Sequence, residues 1–310
     1  MIDGSGTQRT WSWDSALQGI IPPMISPLTR SGAVDGAALN TLVAHILDGG
    51  CSGIFVLGGC GEGAWLTPAQ RMGVTQATVA AVAGRAPVLA GVMLPATGPA
   101  IEAARQAAEA GADALVVGSP YYFAVTGAAQ MRHVEAILAA VPLPILLYNI
   151  PQSTHNVLTP ATVRSLAVEP RILGIKDSAG DFEAFQFLLS IKKARPDFRV
   201  LQGHEAFAAA SLLQGGDGLV PGMANFVPAL FVALRRAAAT HDVKTCVQLQ
   251  EQITALGVLH THGHWLPALK AACAFLGLGN GIPSPPLLPA TEDERRQIRG
   301  ILAGKGLLPE

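Results

Sequence analysis

Charged residues are scarce in this sequence, and their scarcity narrows the classes of function. Only 14% of the 310 residues are charged, the formal net charge is −1, and no run of basic residues occurs. A protein that binds nucleic acid needs a basic patch or stripe to neutralise the phosphates. The sequence therefore argues against nucleic acid as a partner.

Long apolar runs are also missing, although half of the residues are hydrophobic. The apolar residues come in short runs separated by glycine and proline, whereas a membrane-spanning helix needs about 18 consecutive apolar residues. No membrane segment is expected. Residues 1–18 contain no hydrophobic core of a signal peptide, and we interpret them as a loose N-terminal leader.

The cysteines and histidines give no metal pattern. The four cysteines, which lack the paired spacing of a zinc site, are Cys51, Cys60, Cys246 and Cys273. Nothing indicates secretion, so reduced thiols and a cytoplasmic location are expected. His260, His262 and His264 alternate in HTHGHW, but residues two apart on a helix cannot all point at one ion. Neither a metal nor a cofactor is expected.

What the sequence does contain is a repeated pattern of short apolar runs. Eight β-type runs cover residues 19–26, 52–58, 87–93, 114–120, 144–150, 172–177, 199–203 and 217–222. The stretches between them have helical periodicity. One of these helices is expected to begin after the N-cap Thr67 with Pro68 at its first position, and another to end near Gly111.

Strands that are apolar on both faces are typical of a parallel sheet covered by helices. Eight such units predict a (β/α)8 TIM barrel over residues 19–240. A doubly wound open sheet is the alternative, but no Gly-x-Gly-x-x-Gly turn follows the first strand. Residues 241–310 are predicted to form a small C-terminal helical appendage, with an irregular connection at 280–289.

Three polar features follow strands of the predicted barrel, at the end where such barrels carry their active sites. Lys176 ends the sixth run, Tyr148 ends the fifth, and GGCGEG at 58–63 follows the second. An amine among apolar neighbours has a lowered pKa and becomes nucleophilic toward a carbonyl. A phenol can transfer protons, and the N–H groups of a glycine-rich turn can hold a carboxylate. Together they suit Schiff-base formation with a 2-oxo acid.

Each feature alone also has a structural interpretation. A lysine at a strand end usually reaches solvent, a strand tyrosine usually packs in the core, and glycine-rich turns are common connections. No histidine is evident that could activate Cys60, which we interpret as a packing thiol.

Six motifs connect these features to a known family. They are GIIPPMISPLTRSG (19–32), GGCGE (58–62), SPYYF (119–123), YNIPQST (148–154), GIKDSAGD (174–181) and PPLLPATEDE (285–294). With them, the chain resembles the family of dihydrodipicolinate synthase and N-acetylneuraminate lyase, Schiff-base lyases built on a TIM barrel. The resemblance runs from about residue 19 to about residue 299, and it includes the interval of 28 residues between Tyr148 and Lys176.

The resemblance implies catalytic roles. Lys176 would form the Schiff base and Tyr148 would act as the acid/base tyrosine. The amides of Gly59 and Cys60 would hold the pyruvate carboxylate. Tyr122 takes the place of a tyrosine that, in the synthase, reaches into the neighbouring subunit's site, and a homotetramer or homodimer is expected.

The resemblance also bears on the substrate. Gly203 and Glu205 match the loop where lyases of sugar acids hold substrate hydroxyls, and Val220 is assigned to substrate binding with them. Two departures from the synthase stand out. Gly59 lacks the hydroxyl that relays protons there, and Ser153 stands where the synthase has an arginine for the second substrate's carboxylate.

The predicted function is that of a lyase. It is a class I aldolase that cleaves a 2-keto-3-deoxy sugar acid to pyruvate and an aldehyde, or condenses the two, through a lysine Schiff base. The alternatives are 4-hydroxy-tetrahydrodipicolinate synthase and a sugar-acid dehydratase, both using the same Schiff base. A third alternative is a catalytically idle barrel that binds 2-oxo acids as a sensor.

Overall fold

A computed structural model describes residues 10–308 of the chain. Seven strands form one sheet in chain order, and each is parallel to its neighbours. They are β1 (Ile54–Val56), β2 (Val88–Gly91), β3 (Ala114–Gly118), β4 (Ile145–Asn149), β5 (Ile172–Asp177), β6 (Arg199–Gln202) and β7 (Gly218–Leu219). Each lies inside one of the apolar runs, so seven of the eight predicted strands are confirmed.

The first predicted run, residues 19–26, forms isolated bridges instead of a strand. Ile20 pairs in parallel with Leu219 of β7, and Pro23 pairs in parallel with Phe55 of β1. Backbone hydrogen bonds accompany both pairings, so this segment joins the two edges of the sheet. Pro22 and Pro23 have no N–H to donate, which prevents a regular ladder of hydrogen bonds.

Helices alternate with the strands and cover the outside of the sheet. They are α1 (Trp13–Leu17), α2 (Gly36–Asp48), α3 (Pro68–Val82), α4 (Thr97–Glu109), α5 (Gly127–Ala140), α6 (Pro151–Thr154), α7 (Pro160–Leu166), α8 (Phe182–Ser190), α9 (Ala208–Leu213), α10 (Pro228–Ala239), α11 (Val243–Gly257), α12 (Trp265–Phe275) and α13 (Glu292–Gly304). Short 3-10 turns lie at 191–193, 205–207, 222–225 and 258–261. The fold is a TIM-barrel-like α/β fold.

The predicted helix signals are present. Thr67 caps α3, its side chain accepts from the Gln70 N–H, and the Gln70 side chain accepts from the Thr67 N–H. Pro68 is the first helical residue. Gly111 follows α4 with a φ of 87°, a left-handed conformation that a side chain disfavours.

Two apolar clusters result from the alternation of side chains along the strands. The larger lies between the sheet and the helices. The smaller lies inside the curve of the sheet and comprises Leu17, Ile21, Phe55, Leu89, Ala114, Val116, Leu146, Tyr148, Leu201 and Val220. Leu17 belongs to α1, so the last part of the predicted leader packs into the inner cluster. Residues 1–9 of that leader lie outside the described residues.

The C-terminal region contains α11, α12 and α13, joined by an irregular stretch at 280–289 as expected. α11 packs against α9 and α10, and α12 packs against the 222–225 turn that follows β7. The region therefore lies against the carboxyl ends of the strands. The boundaries at 1–18, 19–240 and 241–310 stay a prediction. In the part of the chain described, no helix has the length and apolar character needed to cross a membrane.

Candidate active site

Lys176 and Tyr148 lie side by side at the carboxyl ends of neighbouring strands. Their Cα atoms are partners in the β4–β5 register, and both side chains are buried, at 3% and 4% exposed. The Lys176 Nζ is 4.1 Å from the centre of the Tyr148 ring and 5.1 Å from the centre of the Phe55 ring. The amine is thus enclosed by aromatic faces inside the sheet's curve.

Close packing from the next strand fixes the lysine stem. At Gly203, just after β6, an added Cβ would come within 2.8 Å of Lys176 Cε and 2.0 Å of Ser178 Oγ. Only glycine lets the chain approach this closely. Gly203 therefore contributes to the site by packing against the lysine.

Most of the predicted site residues line a single cavity of about 420 Å³. They are Lys176, Tyr148, Cys60, Gly203, Glu205 and Val220. A cavity of this size suits a small molecule. The C-terminal region supplies part of its wall through Ile253, His260, Trp265 and Leu269, which the sequence gave no reason to include.

The other two substrate-binding candidates line an adjoining cavity of about 510 Å³. Gly59 and Ser153 contribute to it, together with Tyr121 and His264. Tyr148, Ile150 and Trp265 line both cavities, which therefore meet at the phenol ring. Two parts of one substrate molecule can thus lie in the two cavities, on either side of the Tyr148 ring.

Tyr122 does not join the site within one chain. Its side chain is 81% exposed and lines neither cavity, whereas the preceding Tyr121 lines the second one. The left-handed backbone at Tyr122, with φ at 83°, is a sharp turn that separates the two tyrosines. Its ring meets the exposed ring of Phe123 edge to face, with centroids 4.9 Å apart. The predicted role in a neighbouring subunit stays a prediction.

The glycine-rich turn after β1 has a constrained backbone. Leu57 and Glu62 have left-handed φ angles of 61° and 58°. An added Cβ would lie 2.8 Å from the Leu57 nitrogen at Gly61 and 2.0 Å from the Leu57 oxygen at Gly63. Such strained turns persist only where the surrounding structure holds them, and they cluster at functional sites.

Gly59 and Cys60 form the tip of this turn. In residues 10–308, neither amide donates to a backbone carbonyl. Both are thus available to an anion such as a carboxylate. Burial raises the pKa of the Cys60 thiol to about 12, although the charge of Lys176 acts in the opposite direction. The thiol stays protonated at neutral pH, which agrees with a packing role.

A buried ion pair and its hydrogen bonds hold the glycine-rich turn in place. The Glu62 carboxylate accepts from Lys270 Nζ at 2.5 Å, and its second oxygen accepts from the hydroxyl and the N–H of Ser284. Lys270 Nζ also donates to the Ser26 carbonyl at 3.2 Å. Both charged side chains are almost fully buried, so the network ties the turn to α12 and to the 280–289 connection.

Glu205 and His260 form a polar pair on the wall of the first cavity. Glu205 Oε1 accepts from the Met223 N–H at 2.8 Å, while Oε2 lies 3.8 Å from His260 Nε2. The three alternating histidines separate, since His264 lines the second cavity and His262 lines neither. Across the described residues, no group of three or more His, Cys, Asp or Glu side chains is arranged to hold a metal ion.

Asp177 fixes the strand ends that carry the lysine and the tyrosine. Its Oδ1 accepts from Asn149 Nδ2 at 2.7 Å, and Asn149 Oδ1 accepts from the Leu158 N–H at 3.0 Å. Burial raises the pKa of Asp177 to about 6, partly offset by the hydrogen bond from Asn149. The pair links β4 and β5 on the side that faces away from the cavity.

Comparison with known proteins agrees with this arrangement. The profile of the Dihydrodipicolinate synthetase family matches residues 16–305. The chain belongs to this family. Family members are pyruvate-dependent Schiff-base lyases, and this protein is an enzyme of that class.

Relatives in the dihydrodipicolinate synthetase family differ in their named activities. The chain is 34% identical to the probable 2-dehydro-3-deoxy-D-pentonate aldolase YjhH of Escherichia coli K12, over 94% of this chain and 98% of the relative. It is 33% identical to a 4-hydroxy-tetrahydrodipicolinate synthase of Methanopyrus kandleri, over 95% and 98% of the two chains. Sequence identity therefore does not separate the two activities.

Solved structures of the family superpose closely on this chain. The E. coli K12 prophage protein YagE, solved in complex with pyruvate, has a TM-score of 0.89 at 31% identity, covering 93% of this chain and 98% of that one. Dihydrodipicolinate synthase of Bacteroides thetaiotaomicron has a TM-score of 0.89 at 35% identity, with the same coverage. The likeness supports pyruvate as a substrate.

Lysine and arginine side chains are few around the two cavities of this family member. Within residues 10–308, Lys176 is the only lysine or arginine that lines either of them. Ser153, which on the resemblance to the synthase replaces an arginine, lines the second cavity. Among the described residues, none that lines these two cavities offers a second anionic group on the substrate a bidentate partner.

Proposed function

We propose that this enzyme is a class I aldolase that cleaves a 2-keto-3-deoxy sugar acid to pyruvate and an aldehyde, or condenses the two. The observation that carries the proposal is the buried Lys176 amine, 4.1 Å from the Tyr148 ring, in a cavity that no arginine of the described chain lines. The proposal treats residues 19–24 as the eighth wall element of a (β/α)8 barrel, supported by their bridges to both sheet edges.

The reaction begins when the Lys176 amine attacks the C2 carbonyl of the sugar acid. Tyr148 donates the proton with which the carbinolamine hydroxyl leaves as water, which gives a protonated Schiff base, while the amides of Gly59 and Cys60 hold the carboxylate. Tyr148, deprotonated by that step, takes the proton of the C4 hydroxyl, and the C3–C4 bond breaks as its electron pair moves toward the iminium. The aldehyde leaves, the enamine gains a proton at C3, and water then releases pyruvate and the free amine.

Because Lys176 is the one lysine or arginine of residues 10–308 that lines the cavities, a neutral aldehyde is favoured. Ser153 and Glu205 can exchange hydrogen bonds with hydroxyls, whereas the carboxylate of aspartate semialdehyde would lack a partner. The similarity to a probable pentonate aldolase supports the same substrate class. The similarity to a named synthase keeps that activity as the competing candidate, and a dehydratase would expel a hydroxyl from the same Schiff base.

The exposed rings of Tyr122 and Phe123 support a homodimer or homotetramer, since contact with a second copy would cover them. Tyr122 would then contribute to the site of the neighbouring subunit. A cytoplasmic location stays a prediction.

The experiment that tests the function is a panel of 2-keto-3-deoxy acids of five and six carbons with pyruvate release as the readout. The wild type is expected to release pyruvate from at least one sugar acid, and Lys176→Met from none. Water loss without pyruvate release would indicate a dehydratase instead. Faster condensation of pyruvate with aspartate semialdehyde than with any sugar aldehyde would indicate the synthase.

A further inference from the structure

Glu205 and His260 lie beside one another on the wall of the cavity that contains Lys176. The 3.8 Å between Glu205 Oε2 and His260 Nε2 is too long for a direct hydrogen bond. It is short enough for one hydroxyl group to contact both atoms. The gap is therefore the size of a polar ligand atom.

Backbone contacts hold Glu205 in place. Its Oε1 accepts from the Met223 N–H at 2.8 Å, and its carbonyl accepts from Gln250 Nε2 at 3.0 Å. Gln250 in turn accepts from the Ala209 N–H at 2.9 Å. The carboxylate is thus positioned before a substrate arrives, as a specificity site requires.

The His260 ring leaves part of its hydrogen-bonding capacity unused. Its Nδ1 is buried and has no hydrogen-bond partner anywhere in residues 10–308. A buried polar atom without a partner is rare and costly in a folded protein. Because no partner among the described residues holds a proton on Nδ1, Nε2 is free to carry the N–H and to donate it toward the gap beside Glu205.

We propose that His260 is a specificity-determining residue that, with Glu205, recognises a hydroxyl on the aldehyde half of an unphosphorylated sugar acid. A carboxylate only accepts hydrogen bonds, whereas a neutral imidazole can donate one. The pair therefore matches both the donor and the acceptor of one hydroxyl. The inference rests on the proposed aldolase function and narrows its substrate class.

The same pair disfavours a phosphorylated substrate. A phosphate beside Glu205 would meet a negative charge, and no arginine of the described chain lines the cavity to offset it. A sugar acid with a free terminal hydroxyl meets no such penalty.

The test compares aldehydes that differ in their hydroxyls, in condensation with pyruvate by the full-length enzyme. His260→Phe should lower kcat/KM with glyceraldehyde by about 10- to 100-fold, because a site built for a hydroxyl loses its contact. With propanal, which has no hydroxyl, the loss should stay under about threefold. His262→Phe, directly after the turn that contains His260 and lining neither cavity, should change neither value.

Combining His260→Phe with Glu205→Gln tests whether the two residues act on one hydroxyl. With glyceraldehyde, the fold-decrease in kcat/KM of the double variant should be much smaller than the product of the fold-decreases of the two single variants. The reason is that the shared contact can be removed only once. Glyceraldehyde 3-phosphate should be at least about tenfold poorer than glyceraldehyde for the wild type.

The outcomes separate the inference from the proposed function. The wild type could condense glyceraldehyde with pyruvate while His260→Phe lowers kcat/KM equally for glyceraldehyde and propanal. In that case the aldolase proposal is retained and the role of His260 is structural. Two further results also overturn the inference. One is that the decreases in kcat/KM of the two single variants multiply in the double variant, and the other is that the wild type prefers the phosphorylated aldehyde. If the wild type condenses no aldehyde with pyruvate, the aldolase proposal fails and the inference fails with it.

Discussion

Tyr148 and Lys176 are Cα partners on adjacent parallel strands, and their side chains point to the same side of the sheet. The 27 residues between them contain one strand end, two helices and most of the next strand. Because side chains alternate along a strand, a slip of one residue in either strand would turn the amine or the phenol toward the outer helices. The register is therefore a condition for amine and phenol to act on one substrate.

The first prediction concerns covalent trapping. Borohydride added together with pyruvate should inactivate the enzyme by reducing an adduct on Lys176, since its amine lies inside the cavity. Peptide mass mapping gives the position. Lys270 is also buried but is paired with Glu62, so it should stay unmodified. An adduct on Lys270, or none at all, would refute the Schiff-base assignment.

The second prediction separates Schiff-base formation from proton transfer. Tyr148→Phe keeps the ring that packs edge to face against Phe55 but removes the hydroxyl. The variant should still form the pyruvate adduct, while turnover falls by about 10²- to 10⁴-fold, the usual contribution of a positioned proton shuttle. Steady-state kinetics and adduct mapping on the same variant test both parts. Near-full activity would mean that the tyrosine is structural.

Apolar runs predicted seven strands, and the positions of Tyr148 and Lys176 at the ends of successive runs predicted their meeting, because both follow from local alternation and a repeated unit. The Lys270–Glu62 pair and His260 could not be predicted in this way. Each depends on how the C-terminal helices pack over a barrel mouth built from residues far away in the chain. The exposure of Tyr122 is compatible with its predicted reach toward a neighbouring subunit, but the left-handed backbone that separates it from Tyr121 could not be predicted.

The third prediction concerns the anchor of the glycine-rich turn. Lys270→Met should leave the Glu62 carboxylate buried without its cation, and loss of one member of a buried pair costs about 3–5 kcal/mol of unfolding free energy. Urea denaturation measures the change. Adding Glu62→Gln should restore part of the stability, because the uncompensated charge is removed. Lys244→Met, at an exposed position of α11, is the control and should change little.

The fourth prediction is a pH dependence at Asp177. Burial raises the pKa of this carboxyl from 3.8 to about 6, so the folded state holds the proton more tightly than the unfolded state. The contribution of this raised pKa to the free energy of unfolding is fully present below about pH 4 and is lost as the pH rises through 6.

Asp177→Asn has no titrating group at this position. Its free energy of unfolding relative to the wild type should therefore be higher at pH 7.5 than at pH 4. The gain should be about 2–3 kcal/mol, from about 1.4 kcal/mol per pKa unit. Denaturation curves at both values measure it, and Asp48→Asn, at an exposed position, is the control. An equal difference between variant and wild type at both pH values would contradict the raised pKa.

The last prediction concerns the aldehyde. Aspartate semialdehyde should be a poor partner for pyruvate, because its carboxylate would enter cavities that no arginine of residues 10–308 lines. Glyceraldehyde or glycolaldehyde should have the higher kcat/KM, since Ser153 and Glu205 can bond to hydroxyls and a site built for hydroxyls discriminates strongly. Ser153→Arg should shift the preference toward aspartate semialdehyde by supplying a bidentate partner. If aspartate semialdehyde instead wins by about tenfold or more in the wild type, the enzyme is a synthase. A neighbouring subunit would then have to supply the missing cation, because Arg132 on α5 lines neither cavity.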